Sequence, residues 1–397
     1  MVGQGKASEI GRKAFLKYFV PLALLTIVHI AGIPALQHLA ANELQVGDLG
    51  KKFFHLCDTY AKVLNSADRI NPLTGRPMPF YSDSYVVRAL LVAHDLTGRE
   101  EYLKACKTWS DRMIAFQEKM IPRGAYYMNY NRAPSETSGE WFNGDSGSIG
   151  MGVLATAVRC PDAEAKSRYL NSVESYAGLV MGNYIGPNGG IRNGLWKSFD
   201  GEWWCCSGTF GALALLLYDE TGKERYLEVG LNALNWLSNQ DLATVGPITL
   251  AERGPTIPWY VFEPFSAGFS RLQMANYPAI EDAAKKQISW FVKWAQGNLN
   301  VPPEKRTNKY DSHAGSKWGG IPFHIYTLTR IVPHDDLRRI ADKELEQLIA
   351  LLFTGDKPAY LQFSELTPFA MISMAEKISP GTIFRDSRTQ PKTATKK

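Results

Sequence analysis

Acidic residues precede several apolar segments of this 397-residue chain, and carboxyl groups in such positions could do acid–base chemistry. An Asp at the start of a helix is often only an N-cap, because the helix N-terminus carries partial positive charge. Aromatic and amide neighbours suggest a second purpose, since sugar sites use such groups for stacking and for hydroxyl recognition. The acids with such neighbours are Asp83 after Phe80-Tyr81-Ser82, Asp145 after Glu140-Trp141-Phe142-Asn143-Gly144, and Asp200 and Glu202 before Trp203-Trp204.

Two of these acids, Asp83 and Asp145, open predicted neighbouring helices and could form an acid/base pair. A carboxyl group beside an apolar wall of Trp and Phe keeps its proton and can donate it, while a second one stays ionised. We therefore predict that Asp83 and Asp145 are the catalytic residues.

Further aromatic, amide and charged side chains near the predicted helix starts are expected to bind substrate. They are Tyr130, Arg132, Trp141, Asn143, Glu202, Trp203, Trp204, Tyr310, His313, Trp318 and His324. Part of this set also suits a polysaccharide lyase, which neutralises a uronic carboxylate and removes the adjacent proton with a Tyr or His base. The two clusters that would serve a lyase are 126–132, rich in Tyr, Asn and Arg, and 310–326, with Tyr, His and Trp.

The five cysteines of the chain include one adjacent pair, Cys205-Cys206. No Cys-x-x-Cys, Glu-x-Cys or His-x-x-x-His spacing accompanies this pair. The pair is therefore predicted to pack inside a helix, and neither a metal nor an organic cofactor is expected.

Helical periodicity extends from about residue 47 to about residue 378, and strand-like runs are few and short. Strongly apolar helices alternate with amphipathic ones, and Thr97-Gly98 and Thr221-Gly222 mark similar turns between them. The pattern repeats about every 57 residues, which gives six or seven helical hairpins. Because an apolar helix must be buried on both sides, we predict an all-α fold, an (α/α)6 or (α/α)7 barrel with an inner and an outer ring. The alternative is an open helical solenoid.

The charge and composition of the chain exclude some function classes. The formal net charge is only +5, and no basic stripe with interleaved aromatics indicates nucleic-acid binding. Aromatic residues make up 12% of the chain, which is compatible with a sugar-binding cleft.

The first 42 residues resemble a targeting segment. Several basic residues precede an uncharged run at 19–36, the layout of a signal peptide or of an uncleaved membrane anchor. We expect a catalytic barrel at 43–380, followed by a disordered tail at 381–397. The barrel is expected to be secreted, periplasmic or tethered to a membrane outside the cytoplasm.

Tyr81-Ser82-Asp83, Leu96-Thr97-Gly98 and Asn143-Gly144-Asp145 together resemble the unsaturated glucuronyl and galacturonyl hydrolases. Those enzymes are six-hairpin (α/α) barrels with an Asp at the start of each of two successive inner helices. The resemblance implies that Asp145 protonates an enol-ether double bond and assists water addition, with Asp83 as its partner. The chain lacks the Trp-Ala-Arg-Gly-like segment that this family places beside its substrate. Glu202-Trp203-Trp204 is also similar to the sugar 2-epimerases of the N-acylglucosamine type.

These observations predict a carbohydrate-active enzyme that cleaves glycosidic bonds in an acidic, uronate-containing oligo- or polysaccharide. The alternatives are an (α/α) barrel polysaccharide lyase, a sugar epimerase and a non-catalytic glycan-binding protein. The last alternative requires that the acids at the helix starts are only caps.

Overall fold

The computed structural model describes eleven helices and four short strands. The described residues are 47–71, 73, 75–127, 141–194, 201–240, 278–302, 305–306, 310, 315–355, 357–358 and 365–383. Within them the helices are α1 Gly47–Asn65, α2 Phe80–Thr97, α3 Glu100–Gln117, α4 Asn143–Arg159, α5 Ala163–Asn183, α6 Trp204–Thr221, α7 Glu224–Ser238, α8 Pro278–Asn298, α9 Ile321–Ile331, α10 Asp335–Leu352 and α11 Leu366–Ile378. A 3₁₀ helix, Gly315–Gly320, precedes α9, and the strands form two hairpins, β1 Ile70–Asn71 with β2 Arg76–Pro77 and β3 Phe353–Thr354 with β4 Lys357–Pro358.

The helices form two layers, as the alternation of apolar and amphipathic segments predicts. Five of the described helices, α2, α4, α6, α9 and α11, are buried along nearly their whole length. The other six, α1, α3, α5, α7, α8 and α10, bury one face and expose the other. The first group forms the inner ring and the second group the outer ring.

The inner ring closes where the last inner helix meets the first. Each inner helix packs against its neighbour in the order α9, α11, α2, α4, α6. The rings of Tyr85 on α2 and Phe369 on α11 meet edge to face, with centroids 4.8 Å apart. An open solenoid would keep α2 and α11 apart, so the predicted barrel is confirmed.

The two Thr-Gly turns have the same geometry. Gly98 and Gly222 have φ of 68° and 65°, a left-handed conformation that favours glycine. Each glycine N–H donates to a carbonyl four residues earlier, His94 O and Tyr218 O, at 2.7 Å. Both turns connect an inner helix to the following outer helix with only two residues.

The connections from outer to inner helices are much longer. Those that lead to described inner helices span 66–79, 118–142, 184–203, 299–314 (up to the 3₁₀ helix) and 353–365. Because neighbouring helices alternate in direction, the described inner helices begin at one end of the barrel. The long connections therefore lead into the inner-helix N-termini, and we call this end the mouth.

None of the described helices is long and apolar enough to cross a membrane. The predicted signal or anchor at 19–36 lies outside the described residues. Of the tail predicted to be disordered at 381–397, residues 381–383 are described and packed, since Ile383 is buried and Thr382 O accepts from Arg159 at 2.7 Å. The rest of that tail lies outside the described residues.

Candidate active site

Asp145 lies at the mouth, in the first turn of α4. The start of this helix is fixed by Asn143, whose backbone N–H donates to Asn193 O at 2.9 Å and whose side-chain amide donates to Arg192 O at 2.7 Å. Asp145 is only 8% exposed. Burial, followed by the charge of Glu365, raises the pKa of Asp145 to about 7, and Lys317 acts to lower it. The carboxyl group therefore holds its proton to a much higher pH than an exposed Asp does.

Lys317 and Glu365 form a buried ion pair at the same end of the barrel. Their Nζ and Oε2 atoms are 3.4 Å apart, and both side chains are almost inaccessible to solvent. The Lys317 ammonium also lies 5.3 Å from the ring centre of Phe369 and 5.9 Å from that of Tyr81. Burial lowers the pKa of Lys317, while Glu365 and Asp145 act to raise it.

Close packing of the 3₁₀ helix against α11 brings this ion pair together. A Cβ atom on Gly319 would lie 2.7 Å from Leu366 O, so only glycine permits this approach. Ser373 Oγ donates to Gly319 O at 2.7 Å and accepts from Phe323 N–H at 3.0 Å. Lys317 of the 3₁₀ helix and Glu365, directly before α11, are thereby held together, and the charges of both act on Asp145. We call Asp145, Lys317 and Glu365 the charge cluster.

This arrangement is chemically competent for acid/base work. One carboxyl group, Asp145, has a pKa near neutrality, and a second, Glu365, is paired with an ammonium group. Titratable groups whose environments differ in this way are typical of catalytic acids and their ionised partners.

Asp83, the other predicted catalytic residue, contacts the outer ring. Its Oδ2 accepts from Arg69 Nε at 2.9 Å and from Nε1 of Trp109 on α3 at 3.1 Å, and a second Arg69 nitrogen also contacts it. Burial raises the pKa of Asp83 to about 6, against the lowering effect of Arg69. These contacts indicate a structural role between α1, α2 and α3, and the catalytic role of Asp83 stays a prediction.

Three residues predicted to bind substrate hold the connection between α5 and α6 instead. Glu202 accepts from the backbone N–H groups of Asn188 and Gly190, both at 2.8 Å, and from the Asn188 side chain at 2.7 Å. Trp141 is fully buried and packs edge to face on Tyr184, with ring centroids 5.0 Å apart. Asn143 fixes the start of α4, as described above. Their predicted contacts with substrate remain untested.

Trp203 and Trp204 lie at the start of α6, with ring centroids 5.5 Å apart. Trp204 is buried and Trp203 is partly buried. Their helix also carries Cys205 and Cys206, whose sulfur atoms are 3.9 Å apart and fully enclosed, and burial raises the pKa of Cys205 well above its usual range. The geometry agrees with the predicted packing role of this cysteine pair.

Tyr310 and Trp318 turn toward the outer ring. The Tyr310 hydroxyl donates to Glu344 of α10 at 2.8 Å, and Arg306 donates to the same hydroxyl at 3.0 Å. Burial raises the pKa of Tyr310, which disfavours the phenolate that a lyase would use as its base. Trp318 is stacked on Trp294 of α8, with ring centroids 5.7 Å apart.

His324 lies in the first turn of α9, and its side chain is fully buried. Burial, followed by the charge of Arg88 on α2, lowers its pKa well below the usual range. Its contact with substrate stays a prediction. The remaining predicted site residues, Tyr130, Arg132 and His313, lie outside the described residues.

Lys317 and Glu365 are functional candidates that the sequence analysis missed. Glu365 could have been found, since it is an acid directly before an apolar helix, as Asp145 is. Lys317 gives no such signal, because a lysine that is flanked by glycines and a tryptophan is usually a solvated loop residue.

Comparisons with known proteins identify the fold. No protein-family model and no curated protein sequence matches the chain. Among solved structures, the α-1,6-mannanase of glycoside hydrolase family 76 from a Salegentibacter species is similar, with 15% identity and a TM-score of 0.57 over 83% of this chain and 99% of that one. The family 76 α-mannanase of Bacteroides thetaiotaomicron has 11% identity and a TM-score of 0.58, covering 87% and 99%. A sugar epimerase from a ruminal bacterium has 10% identity and a TM-score of 0.57, covering 89% and 99%.

One of the solved mannanase structures also informs the chemistry of that enzyme. A variant of the Salegentibacter mannanase with two consecutive aspartates replaced is described as inactive and contains α-1,6-mannotetrose. At these identities the likeness shows the fold and not the activity. The chain therefore has the six-hairpin (α/α) barrel fold that the mannanases and the epimerase share.

Proposed function

We propose that this protein is a glycoside hydrolase in which Asp145 is the general acid. The observation that carries the proposal is the pKa of about 7 at a buried carboxyl group in the mouth of an (α/α) barrel. A general acid works best when its pKa lies near the working pH. Asp145 would donate its proton to the glycosidic oxygen as the bond to the anomeric carbon breaks.

The proposed substrate is a neutral α-linked mannose polymer or oligosaccharide. The charge cluster at Asp145 holds two carboxyl groups, Asp145 and Glu365, and one ammonium, Lys317, which is already paired. A uronic carboxylate placed there would meet a like charge. The solved mannanases with the same fold act on a neutral polymer of this class, as their names state. The acidic glycan predicted from the sequence, which would need a cation such as Arg132, is the competing substrate.

A substrate panel tests the proposal on the full chain. Linear α-1,6-mannan, a uronic polymer, unsaturated uronic oligosaccharides and free mannose are each incubated with the protein. Reducing ends and absorbance of the 4,5-double bond are followed, and the monosaccharides are separated by chromatography. We expect new reducing ends from mannan alone. A rise in absorbance on the uronic polymer would establish a lyase, and a fall on the unsaturated oligosaccharides would establish the uronyl hydrolase. Conversion of a monosaccharide without bond cleavage would establish an epimerase.

Substitution of Asp145 and variation of pH test its role. Asp145→Asn cannot donate a proton, and we expect kcat to fall by about 10²- to 10⁴-fold. In the wild type, activity should decline as pH rises above about 7, because Asp145 loses its proton there. Asp335→Asn, which removes an exposed acid from α10, should leave both properties unchanged. A variant Asp145→Asn with wild-type turnover would reject the assignment.

A further inference from the structure

Asp145 has no acidic neighbour in sequence, and the packing around it leaves no space for one on α4. A Cβ atom on Gly144 would lie 2.6 Å from the ring of Phe142 and 3.2 Å from Cys205 Sγ. On the other side, Ser146 is fully buried and its hydroxyl donates to Tyr126 O at 3.1 Å. This differs from the Salegentibacter mannanase, whose inactive variant replaces two consecutive aspartates.

A hydrolase that uses Asp145 as its acid needs an ionised carboxylate from another element. Asp83 is held by Arg69 and Trp109, and no direct contact or electrostatic coupling to Asp145 is seen among the described residues. Glu365 is different, because it pairs at 3.4 Å with Lys317, whose ammonium lies 5.9 Å from the ring centre of Tyr81. The Tyr81 carbonyl accepts from Ser148 of α4 at 3.5 Å, so the ion pair lies beside the helix that carries Asp145. In agreement with this position, the charges of Glu365 and Lys317 act on Asp145.

We propose that Glu365, contributed by the start of α11, is the second catalytic carboxylate, and that Lys317 is the residue that positions it and keeps it ionised. The proposal rests on the hydrolase function proposed above. The proton of Asp145 goes to the glycosidic oxygen, the bond from that oxygen to the anomeric carbon breaks, and water supplies the oxygen that replaces it. The proton released by water returns to the carboxylate pair, so one glycoside and one water give two alcohols.

The surroundings of Lys317 fit a positioning role rather than a substrate contact. Its ammonium is fully buried between the rings of Tyr81 and Phe369, and its ion-pair distance to Glu365 is 3.4 Å. A buried carboxylate without a cation tends to take up a proton. Lys317 is therefore the group that would hold Glu365 in its charged form.

The leaving group separates the roles of the two carboxyl groups. The test uses Asp145→Asn and Glu365→Gln on the glycan that the wild type cleaves and on its 2,4-dinitrophenyl glycoside, whose leaving group needs no proton. We expect both variants to lose about 10²- to 10⁴-fold in kcat on the glycan. On the aryl glycoside Asp145→Asn should recover most of its activity, whereas Glu365→Gln should not. Recovery of Glu365→Gln, or more than a tenth of wild-type kcat on the glycan, would overturn its assignment.

The positioning role of Lys317 is tested by the pH profile of kcat/KM. In Lys317→Met the acidic limb should move to higher pH by about one unit or more, because an isolated buried carboxylate ionises less readily. Lys317→Arg should restore most of the wild-type profile. An unchanged profile in a folded Lys317→Met would overturn the positioning role.

Two controls keep the test informative if a variant folds poorly. Glu344 of the outer helix α10 forms an equally buried ion pair with Arg306. Glu344→Gln breaks this pair and should lower stability without moving the pH profile. The double variant Lys317→Met/Glu365→Gln removes both charges together and should fold better than Lys317→Met while remaining inactive. If the wild type cleaves no glycan, the proposed function fails together with this inference. If the wild type cleaves and Asp145→Asn behaves as expected while Glu365→Gln remains active, only the role of Glu365 fails.

Discussion

At the scale of the residue, the raised pKa of Asp145 makes the stability of the fold depend on pH. Its usual pKa is 3.8, and in the folded protein it is about 7. Between these two pH values the folded state holds a proton that the unfolded chain has released, so the free energy of unfolding falls as pH rises through this interval. Below about pH 4 the free energy of unfolding is not lowered by Asp145. Above about pH 7 the decrease is complete and is on the order of 4 kcal/mol at most.

We expect Asp145→Asn to be stabilised relative to the wild type at pH 8 and to differ little at pH 4. The expected change in relative stability between the two pH values is about 2–4 kcal/mol, since the neutral amide does not titrate. Urea unfolding of both proteins at both pH values measures it, with Asp335→Asn as the control for removing one exposed acid. The same stability difference at pH 4 and pH 8 would contradict the burial of an ionised Asp145.

Substitution of Arg69 is expected to destabilise the protein at high pH, in contrast to substitution of Asp145. Its side chain is 4% exposed and paired with a fully buried Asp83. Arg69→Met leaves that carboxylate without a cation, and we expect a loss of about 3–5 kcal/mol in unfolding free energy at pH 8. The loss should be smaller at pH 5, where Asp83, whose pKa is already raised to about 6, takes up a proton.

The double variant Arg69→Met/Asp83→Asn separates structure from catalysis. It should recover part of the lost stability, because no buried charge is left unpaired. If Asp83 is structural, turnover per folded molecule stays near the wild-type value. Abolished turnover in the folded double variant would instead support the catalytic role that the sequence predicts for Asp83.

The sequence predicts Asp145 as a catalytic residue but does not point to Glu365 and Lys317, whose charges act on it, for a physical reason. An acid before an apolar helix is a local signal, and it applies to both Asp145 and Glu365. Whether such an acid faces the barrel interior or the outer ring depends on its rotation about the helix axis, which is fixed by packing. Asp83 carries the same local signal, yet it contacts Trp109 on the outer helix α3. Lys317 can be recognised as a candidate only from its contact with Glu365, which is 48 residues away in sequence.

At the scale of the element, α4 packs closely on both neighbours through glycines. A Cβ atom on Gly147 would lie 2.7 Å from Thr209 Oγ1 and 3.0 Å from the Thr209 backbone on α6. A Cβ atom on Gly152 would lie 3.0 Å from both Ser84 on α2 and Trp109 on α3. Close approach of these helices sets the position of Asp145 relative to the rest of the mouth.

Gly147→Ala should therefore destabilise the protein by about 1–3 kcal/mol, because backbone as well as side-chain atoms of Thr209 must move. Gly178→Ala is the matched control, since Gly178 is exposed on α5 and its Cβ would have no neighbour within 4 Å. This second change should stabilise the protein by about 0.5–1 kcal/mol through helix propensity. Thermal unfolding of the two variants gives both values. A neutral Gly147→Ala would mean that α4 and α6 can separate freely.

Element positions were largely predictable from the sequence, because they depend on local periodicity and on turn residues. Both Thr-Gly turns lie where the sequence predicts them, each between an inner helix and the following outer helix. The start of the inner helix α6 at Trp204 is harder to predict. The residues of its first turn, aromatic and cysteine side chains, carry no helix-start signal.

At the scale of the whole molecule, the contact between Tyr85 and Phe369 joins the first and the last described inner helices of the chain, α2 and α11. Phe369→Ala should cost about 3–5 kcal/mol, as expected for a fully buried phenylalanine. In a double-mutant cycle, Tyr85→Ala and Phe369→Ala should couple by about 0.5–1.5 kcal/mol. The ring of Phe210 contacts Tyr176 and serves as the control. The losses of unfolding free energy from Phe210→Ala and Tyr85→Ala should therefore add. Additive energies for the pair Tyr85 and Phe369 would show that this ring contact does not stabilise the closure.

The two-residue turns after α2 and α6 leave one end of the barrel with almost no chain to vary, while the mouth carries connections many times longer. Insertions and deletions can therefore accumulate at the mouth without disturbing the helix packing, and at the other end they cannot. For the proposed glycoside hydrolase, specificity would be changed by exchanging whole mouth connections between barrels of this fold. The end with the short turns is the place to attach the protein to a solid support, because the mouth then stays open to solvent.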